Sequence, residues 1–499
     1  LQPFMASFPF LLHPLTLVSA ILILSATIWA TRRNPRRRRH PVRGTVFHLA
    51  RNFARIYNCL TDLASHHSSF RIRHLFRCMV MTVDPANVEH ILKTNFPNYG
   101  KGWFMREILS DLLGEGIFTV DGVAWQHQRK VSSHEFSTRI LRDFSCDVFR
   151  NNASKFALLL SQAAVSNKSV EIQDLFTKFA MDTTFQVLLG TELDNLRGTN
   201  EEGVRFSKAF NEANLLVARR YVDILWKIKR FLNIGTEAVI KDSVKVVDDF
   251  VYKVIRTKIE QRHQPMKSRD IVSRFLESNE TDPKFLRDIA ISFIIAGKDT
   301  TAITLCCFIY MLCKNPIVQE RIAREVKDAA GVGDGLSFVE IADSITEEAL
   351  NKMHYLHAAL TETLRLYPAV PVDGKLCLSD DEWPDGFSVR KGDIVVYVPY
   401  SMGRMKCLWG DDAEVFRPER WLNDDGVFQH ATSFKFIAFN AGPRICLGKD
   451  FAYRQMKILS AVLVYGFVFM LSEEMSELKY KAGLTLNIVG GLHVRASLR

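Results

Sequence analysis

The chain has 499 residues, of which 47% are hydrophobic, enough apolar material for a large buried core. Its formal net charge is +10, but nine arginines and no lysine or acidic residue fall within residues 1–61, so residues 62–499 carry only +1. A nucleic-acid-binding surface on this body is therefore not indicated. Nine cysteines without C-x-x-C spacing argue against a disulfide framework or a zinc cluster and fit a reducing compartment.

The N-terminal segment has the pattern of a membrane anchor. Residues 8–30 contain no charged residue, and as a helix they would span about 34 Å, against about 30 Å for a bilayer core. A cleaved signal peptide is the alternative, but its apolar region would be shorter and preceded by positive charge. The arginine-rich linker at residues 31–45 predicts that the following body faces the cytosol. We therefore expect an anchor, a linker and one domain at residues 46–499.

The pattern of the body is mainly helical. Short alternating apolar stretches between Arg71 and Val83 predict strands, and amphipathic helical patterns dominate from Val88 onward. Trp125 and Arg129 are four residues apart, on one face of a predicted helix. In isolation, an aromatic core contact and a surface charge would explain this pair. The predicted fold class is mainly α with small β-sheets.

Residues 206–234 mix apolar side chains with several cations and include Trp226 and Phe231. One interpretation is an ordinary amphipathic surface helix. The other is a membrane-dipping entrance for lipid-dissolved molecules. The sequence leaves both open.

Residues 284–315 form a long apolar helical pattern with A-G-K-D-T-T at its centre. A second membrane span is disfavoured because Asp and Lys are costly in hydrocarbon. A phosphate-binding loop is disfavoured because G-x-x-x-x-G-K-[ST] requires glycine where Ser292 stands. We interpret the segment as a helix beside a reacting centre. Its glycine would let a cofactor or a diatomic ligand approach, the hydroxyl of Thr300 could open a notch, and Asp299 could relay protons.

Glu362 and Arg365 are spaced as i and i+3 on a predicted helix. This spacing usually gives a solvated ion pair that contributes about 0.3–0.5 kcal/mol. Downstream, the sequence F-R-P-E-R-W supplies a further arginine, Arg420. Alone, the pair carries little information.

The sequence F-N-A-G-P-R-I-C-L-G begins at Phe439 and precedes a predicted helix. Gly442 and Gly448 would allow a tight loop around Cys446. A cysteine at a helix N-terminus, with Arg444 nearby, is expected to have a depressed pKa and to be a thiolate, the form that ligates metals. Phe439 could shield the sulfur from water. An inert buried cysteine is the alternative if Cys446 is considered alone.

The spacing F-x-x-G-x-R-x-C-x-G specifies five residues in ten, and with the motifs above it resembles the cytochrome P450 family of haem-thiolate monooxygenases over nearly the whole chain. The resemblance implies a triangular helical body around a haem b, with Cys446 as the axial thiolate of the iron. It also implies that Trp125, Arg129 and Arg444 hold the haem propionates, with Lys375 as a further basic partner. Phe439, Gly442 and Gly448 complete the cofactor-binding loop.

The same resemblance implies roles for the other motifs. Asp299 and Thr300 would deliver the protons used in cleaving dioxygen. Glu362, Arg365 and Arg420 would form a buried triad behind the cysteine loop, with tryptophan at 421 where the family has phenylalanine.

Residues 366–374, the A-G-K-D-T-T sequence and residues 442–457 look like the plant fatty-acid hydroxylase branch of the family. This implies ω-hydroxylation of a long-chain fatty acid at the endoplasmic reticulum membrane. Electrons would come from NADPH-cytochrome P450 reductase. Apolar segments at 366–372 and 484–486, with a predicted loop at 101–120, match positions that line the family's substrate cavity; the candidate lining residues are Val370, Val372, Leu484 and Leu486.

An acidic reductase requires a complementary basic surface. The cations around the cysteine loop are the predicted surface: Lys435, Arg444, Lys449, Arg454 and Lys457. Two other functions stay as alternatives. One is a haem-thiolate hydroperoxide isomerase or dehydratase that does not use dioxygen, against which the Asp299–Thr300 pair weighs. The other is a membrane-tethered haem-binding or sensor protein, in which an apolar cavity and a basic face would have no purpose.

Overall fold

A computed structural model describes residues 39–73, 78–221, 223, 225–261, 270–333, 335–473, 475, 477–481 and 483–499. The predicted anchor at residues 8–30 lies outside the described residues, as does most of the linker at 31–45. Those two expectations therefore stay predictions. The described part of the chain is mainly helical, as the sequence patterns predict.

The helices form where apolar residues recur at helical spacing and where capping residues occur at the ends. For example, the side chain of Asn200 accepts a hydrogen bond from the N–H of Gly203 at the start of one helix. The described helices are α1 Val46–Arg51, α2 Ile56–His66, α3 Pro85–Glu89, α4 Gly102–Leu113, α5 Gly122–Phe136, α6 Arg139–Val165, α7 Ile172–Leu189, α8 Glu201–Arg219, α9 Trp226–Leu232, α10 Thr236–Gln261, α11 Ile271–Glu277, α12 Pro283–Lys314, α13 Pro316–Ala330, α14 Phe338–Ser344, α15 Glu347–Lys352, α16 His354–Leu366, α17 Pro399–Met402, α18 Lys406–Trp409 and α19 Lys449–Gly466.

The described strands form one six-stranded sheet and three smaller sheets. The largest has the order β1-β2-β3-β9-β6-β4, and its antiparallel strands β2 and β3 pair Arg71 with Val80, within the stretch predicted as strands. The described strands are β1 Val42–Thr45, β2 Ser69–Arg73, β3 Cys78–Thr82, β4 Tyr99–Gly100, β5 Val170–Glu171, β6 Asp373–Cys377, β7 Asp381–Glu382, β8 Ser388–Val389, β9 Ile394–Tyr397, β10 Phe467–Leu471, β11 Tyr480–Lys481, β12 Asn487–Ile488 and β13 His493–Leu498.

Helix α12 runs through the core. The side chain of Asp282 caps its first turn by accepting from the N–H of Lys284, and Pro283 occupies the first helical position, where its missing N–H costs nothing. The helix is long and apolar enough to cross a membrane, but 78% of its most apolar window is buried inside the protein. It is therefore a core helix, in agreement with the sequence argument against a second span.

The glycine of α12 serves a different purpose from the predicted one. A Cβ at Gly297 would lie 2.6 Å from the hydroxyl oxygen of Thr184 on α7. Glycine is therefore required here because two helices pack closely, whereas the sequence suggested that it admits a cofactor or a diatomic ligand.

The predicted loop at residues 101–120 is also wrong in part. Most of it forms α4, which buries Ile108, Leu109, Leu112 and Leu113. These residues recur at helical spacing, so one face of α4 packs against the core. The loop is confined to the residues after α4.

Candidate active site

The cysteine loop is held by its backbone. The N–H of Cys446 donates to the carbonyl of Phe439 at 2.8 Å, across a short 3₁₀ turn at Gly442–Arg444. Gly442 has φ +65°, and a Cβ there would lie 2.0 Å from the carbonyl oxygen of Leu92. Glycine is thus required at position 442 by both its conformation and its contact.

The same argument does not hold for Gly448. Its φ is −91°, a value open to any residue, and no described atom lies within 4 Å of the position that a Cβ would take. Its backbone N–H instead forms a hydrogen bond with the sulfur of Cys446. The predicted conformational need for this glycine is therefore wrong, and its contribution comes from the backbone.

The thiol of Cys446 is accessible on one side, although protein atoms crowd it on the other. Burial raises its pKa, and the N–H of Gly448 and the charge of Arg129 offset this only in part. The expected depression of the pKa is therefore wrong for the protein groups alone. Because a metal ion deprotonates a thiol that coordinates it, the thiolate would form through the iron.

Phe439 lies half-buried beside the loop. The centroid of its ring is 5.2 Å from the centroid of the Tyr453 ring. The ammonium of Lys449 is 6.0 Å from the centroid of the Phe439 ring. The structure thus seats Phe439 within an aromatic cluster at the start of α19.

Three of the predicted cofactor-binding residues meet beside the cysteine loop. Arg129 of α5 donates to the carbonyl of Ile445 at 2.6 Å, and the guanidinium of Arg444 stacks 4.5 Å from the ring of Trp125. Arg444 also pairs with Asp121 at 2.6 Å. These contacts join α5 to a loop more than 300 residues later in the chain.

Lys375 lies in a second cluster of charges, on β6. Its side chain is 1% exposed, and its ammonium is 3.7 Å from the carboxylate of Asp373, which also pairs with Lys101 at 3.0 Å. Burial, together with the charge of Lys101, lowers the pKa of Lys375 to about 7. Burial would raise the pKa of Asp373, but Lys101 and Lys375 outweigh it and hold that pKa well below its usual range.

These cations fit the propionates of a haem. Within the described residues, the buried Nζ of Lys375 and the buried Nε of Arg444 have no hydrogen-bond partner. Buried donors normally find acceptors, and carboxylates suit cations best. Two carboxylates added beside Lys375, Arg444 and Arg129 would supply both the missing acceptors and the missing negative charge.

The A-G-K-D-T-T residues of α12 make polar contacts in the core. The hydroxyl of Thr300 donates to the carbonyl of Ala296, four residues earlier. Asp299 accepts from the amide of Asn214 on α8 at 2.7 Å, and it pairs with the adjacent Lys298. The sequence offered a signal for Lys298, a lysine in the middle of an apolar helix, but did not predict its contact with Asp299.

The predicted triad is assembled, with Glu362 and Arg365 fully buried and Arg420 9% exposed at its side chain. Arg365 forms two hydrogen bonds of 2.7 Å with Glu362, and both side chains are 0% exposed. Arg420 approaches the same carboxylate at 3.4 Å. The pair is therefore not the solvated ion pair that its spacing usually gives.

Sequence reasoning missed the part that Trp421 takes in this cluster. Its indole N–H donates to Glu362 at 2.8 Å, a hydrogen bond that a phenylalanine could not make. The available signal was the tryptophan at the end of the F-R-P-E-R-W sequence, where the family has phenylalanine.

The predicted cavity segments lie side by side. The backbone N–H of Leu486 donates to the carbonyl of Ala369 at 2.9 Å. Leu486 is 2% exposed, whereas Val370, Val372 and Leu484 are half-buried. The contact brings the two apolar segments together.

The predicted basic surface is only partly correct. Lys457 is 8% exposed and donates to the carbonyl of Leu350, and burial lowers its pKa to about 8. Arg444 points into the charged cluster, as described above. Lys435, Lys449 and Arg454 are half-buried, and Arg454 pairs with Glu347 at 3.3 Å. Arg444 and Lys457 therefore do not belong to a surface for a partner protein.

Comparisons with known proteins agree with this arrangement. The chain matches the family described as Cytochrome P450 over residues 35–493. It is 48% identical to Cytochrome P450 704C1 of Pinus taeda, with 92% of each chain covered. It is 42% identical to Cytochrome P450 704B1 of Arabidopsis thaliana, over 94% of this chain and 96% of that one. Cytochrome P450 94A1 of Vicia sativa is 38% identical, over 86% and 84%.

The helical body with its small sheets fits the cytochrome P450 fold. Proteins of this family bind haem b, take electrons from a redox-partner reductase and oxidise lipophilic substrates. The chain therefore belongs to the cytochrome P450 family and is a haem-dependent monooxygenase.

Proposed function

We propose that this monooxygenase hydroxylates the ω end of a long-chain fatty acid, with electrons from NADPH-cytochrome P450 reductase. The observation that carries the proposal is the contact between Ala369 and Leu486, because it joins two apolar segments beside the site. The first of these segments resembles the plant fatty-acid hydroxylase branch. Apolar walls suit an alkyl chain, which gains affinity by leaving water.

The site residues have the following proposed roles. Cys446 would bind the iron of a haem as a thiolate, and the haem would supply the chemistry that activates dioxygen. Arg129, Arg444 and Lys375 neutralise the propionates. Trp125 fixes the guanidinium of Arg444 by stacking.

Asp299 and Thr300, on α12, handle protons. The side chain of Asp299 is 13% exposed and directly precedes Thr300 in the chain, so it can act as the acid of this pair. The hydroxyl of Thr300 can pass a proton on, because a hydroxyl both donates and accepts. Thr300→Ala should therefore still bind haem and fatty acid but release peroxide. Unchanged coupling between NADPH consumption and product would contradict this role.

We further propose that residues 8–30 anchor the protein in the endoplasmic reticulum membrane, that residues 31–45 link the anchor to the body and that residues 46–499, as one catalytic domain, face the cytosol. Exposed apolar side chains on and beside α9 support contact with lipid, since Phe231 is 88% and Ile228 57% exposed. Arg230 on the same helix pairs with Asp111 at 2.8 Å but remains 50% exposed, so it could also contact lipid phosphates.

Product analysis tests the function. The full chain is reconstituted with reductase and NADPH, and a series of saturated fatty acids is supplied with and without oxygen. An ω-hydroxylated product that requires oxygen is expected. Conversion of fatty-acid hydroperoxides without oxygen would instead indicate an isomerase or dehydratase. Haem binding with no turnover of any lipid would indicate a sensor.

A further inference from the structure

The two charged residues at the centre of α12 are bound by neighbouring side chains. Lys298 is 2% exposed, donates to the side-chain oxygen of Asn211 at 2.6 Å and lies 5.6 Å from the centroid of the Phe210 ring. Its ammonium also pairs with one carboxylate oxygen of Asp299. A buried lysine thus has an anion, an amide oxygen and an aromatic ring as partners.

The second carboxylate oxygen of Asp299 has its own partner. It accepts from the amide nitrogen of Asn214 at 2.7 Å. Because a carboxylate only accepts, this contact fixes the orientation of the amide. The other end of that amide, the oxygen of Asn214, is buried and has no hydrogen-bond partner among the described residues.

Asn211 and Asn214 are three residues apart on α8 and therefore share one face of that helix. Both oxygens of Asp299 are thus engaged, one directly by α8 and one through Lys298, which is itself bound to α8. The hydroxyl of Thr300 meanwhile donates to its own helix, at Ala296. Asp299, the proposed proton donor, is therefore bound to Asn214 and Lys298, whereas the neighbouring hydroxyl of Thr300 is bound to Ala296.

We propose that Lys298 and Asn214 are positioning residues for proton delivery, which hold both oxygens of Asp299 and so keep this carboxylate in the place from which it can pass a proton to Thr300. The inference rests on the proposed role of Asp299. No oxidant or reductant beyond those of the monooxygenase reaction is needed, since only a proton moves.

The test uses the full chain with haem, reductase, NADPH and hexadecanoate. The variants are Lys298→Met, Asn214→Leu, Asp299→Asn and the double variants that combine each of the first two with Asp299→Asn. Lys208→Met, on an exposed position of α8, is the matched control. The readouts are product formed per NADPH, peroxide released and the solvent isotope effect on turnover. Haem content and the band of the ferrous carbon monoxide complex report the integrity of the fold.

General acid–base groups contribute about 10²–10⁴-fold to a rate, so loss of their positioning should be measurable. Lys298→Met and Asn214→Leu should each lower product per NADPH by about threefold or more, raise peroxide and increase the solvent isotope effect. Neither should add a further loss once Asp299 is asparagine. Lys298→Arg should restore coupling, because it keeps the cation, and Lys208→Met should match the unmodified protein.

A second readout does not depend on turnover. In the resting protein, hydrogen exchange of the backbone amides of α8 should rise in Lys298→Met and Asn214→Leu, because the contacts to α12 are lost. Unchanged coupling in both variants would overturn the inference, and so would equal losses with and without the carboxylate of Asp299. If Asp299→Asn itself leaves coupling unchanged, the proposed role of Asp299 fails instead.

Discussion

Two buried charged clusters flank the cysteine loop, and only one of them is complete. Glu362 accepts from Arg365 twice, from Arg420, from Trp421 and from the N–H of Arg417. In the other cluster, the Nζ of Lys375 and the Nε of Arg444 are buried without a hydrogen-bond partner among the described residues. The first cluster is satisfied by the protein itself, and the second is suited to a ligand.

The difference follows from the cost of burial. A buried ion without partners destabilises a protein, whereas a fully bonded ion is tolerated and becomes very costly to disrupt. The Glu362 cluster should therefore determine whether the protein folds, and the Lys375–Arg444 cluster should determine how strongly it holds haem. Four predictions test this contrast.

The largest effect is expected at the complete cluster. Glu362→Ala or Arg365→Ala should lower the free energy of unfolding by about 3–5 kcal/mol, because each leaves a buried charge without its main partner. Arg420→Ala should cost less, because Arg420 is 3.4 Å from Glu362 and Arg365 keeps its two hydrogen bonds with that carboxylate. Haem retention should be lost as well. Denaturant unfolding and haem content measure both effects. Glu348→Ala is the control, since Glu348 is 78% exposed, and normal haem content in the triad variants would contradict the assignment.

The incomplete cluster should respond in the opposite way. Lys375→Met should weaken haem binding by about 10- to 100-fold, the effect of losing a hydrogen bond to a charged group. The haem-free protein should be as stable as before or more so, because Asp373 keeps its contacts with Lys101 and Gly374. Haem titration and denaturant unfolding of the haem-free protein provide the test. A destabilised protein with unchanged haem affinity would place Lys375 in the scaffold.

The contrast also shows what the sequence could predict. Helix α12 was predicted to within one residue, because Pro316 and a continuous apolar run define its extent. In contrast, the site depends on contacts between distant parts of the chain. Arg129 donates to the backbone carbonyl of Ile445, 316 positions later, and no local sequence pattern encodes such a pairing. Only the resemblance to a family brought these residues together before the structure did.

The errors have physical causes. The raised pKa of Cys446 depends on how densely the loop is packed, and the burial of Lys457 depends on its contact with Leu350. The reason for Gly297, its contact with Thr184, depends on the approach of another helix. Tertiary packing determines all three, and the sequence of the loop or helix alone does not contain it.

His357 is a third buried polar group, and no ligand is expected beside it. It allows a test of whether a missing hydrogen-bond partner lowers the stability of the protein. Its ring lies between those of Tyr453 and Phe428, at 4.2 and 4.1 Å, and its Nε2 has no hydrogen-bond partner in the described part of the chain. Burial, with a smaller contribution from Lys457, lowers its pKa to about 3. The unfolded chain therefore binds this proton more tightly between about pH 6.5 and pH 3.

Stability should accordingly fall as the pH drops through that window. His357 alone should account for about 2 kcal/mol between pH 8 and pH 5. Unfolding free energies of the wild type and of His357→Phe, measured at several pH values, isolate this share from that of the carboxylates. Parallel pH profiles for the two proteins would show that the ring is protonated equally in both states.

The smallest effect is expected at Trp421. Trp421→Phe removes one donor from Glu362 while Arg365 and Arg420 remain, so the free energy of unfolding should fall by about 1.5 kcal/mol. Haem content should be unchanged. A loss as large as that of Arg365→Ala would mean that the indole is as important to the cluster as the guanidinium.

The close approach of Gly442 to the carbonyl of Leu92 has a consequence for sequence variation. Because one backbone contact fixes the path of the loop, the neighbouring side chains are freer to change. In a saturation-mutagenesis library selected for haem content, position 442 should accept glycine alone, whereas the exposed position of Pro443 should tolerate many replacements. The placement of the sulfur would then depend on a single residue without a side chain.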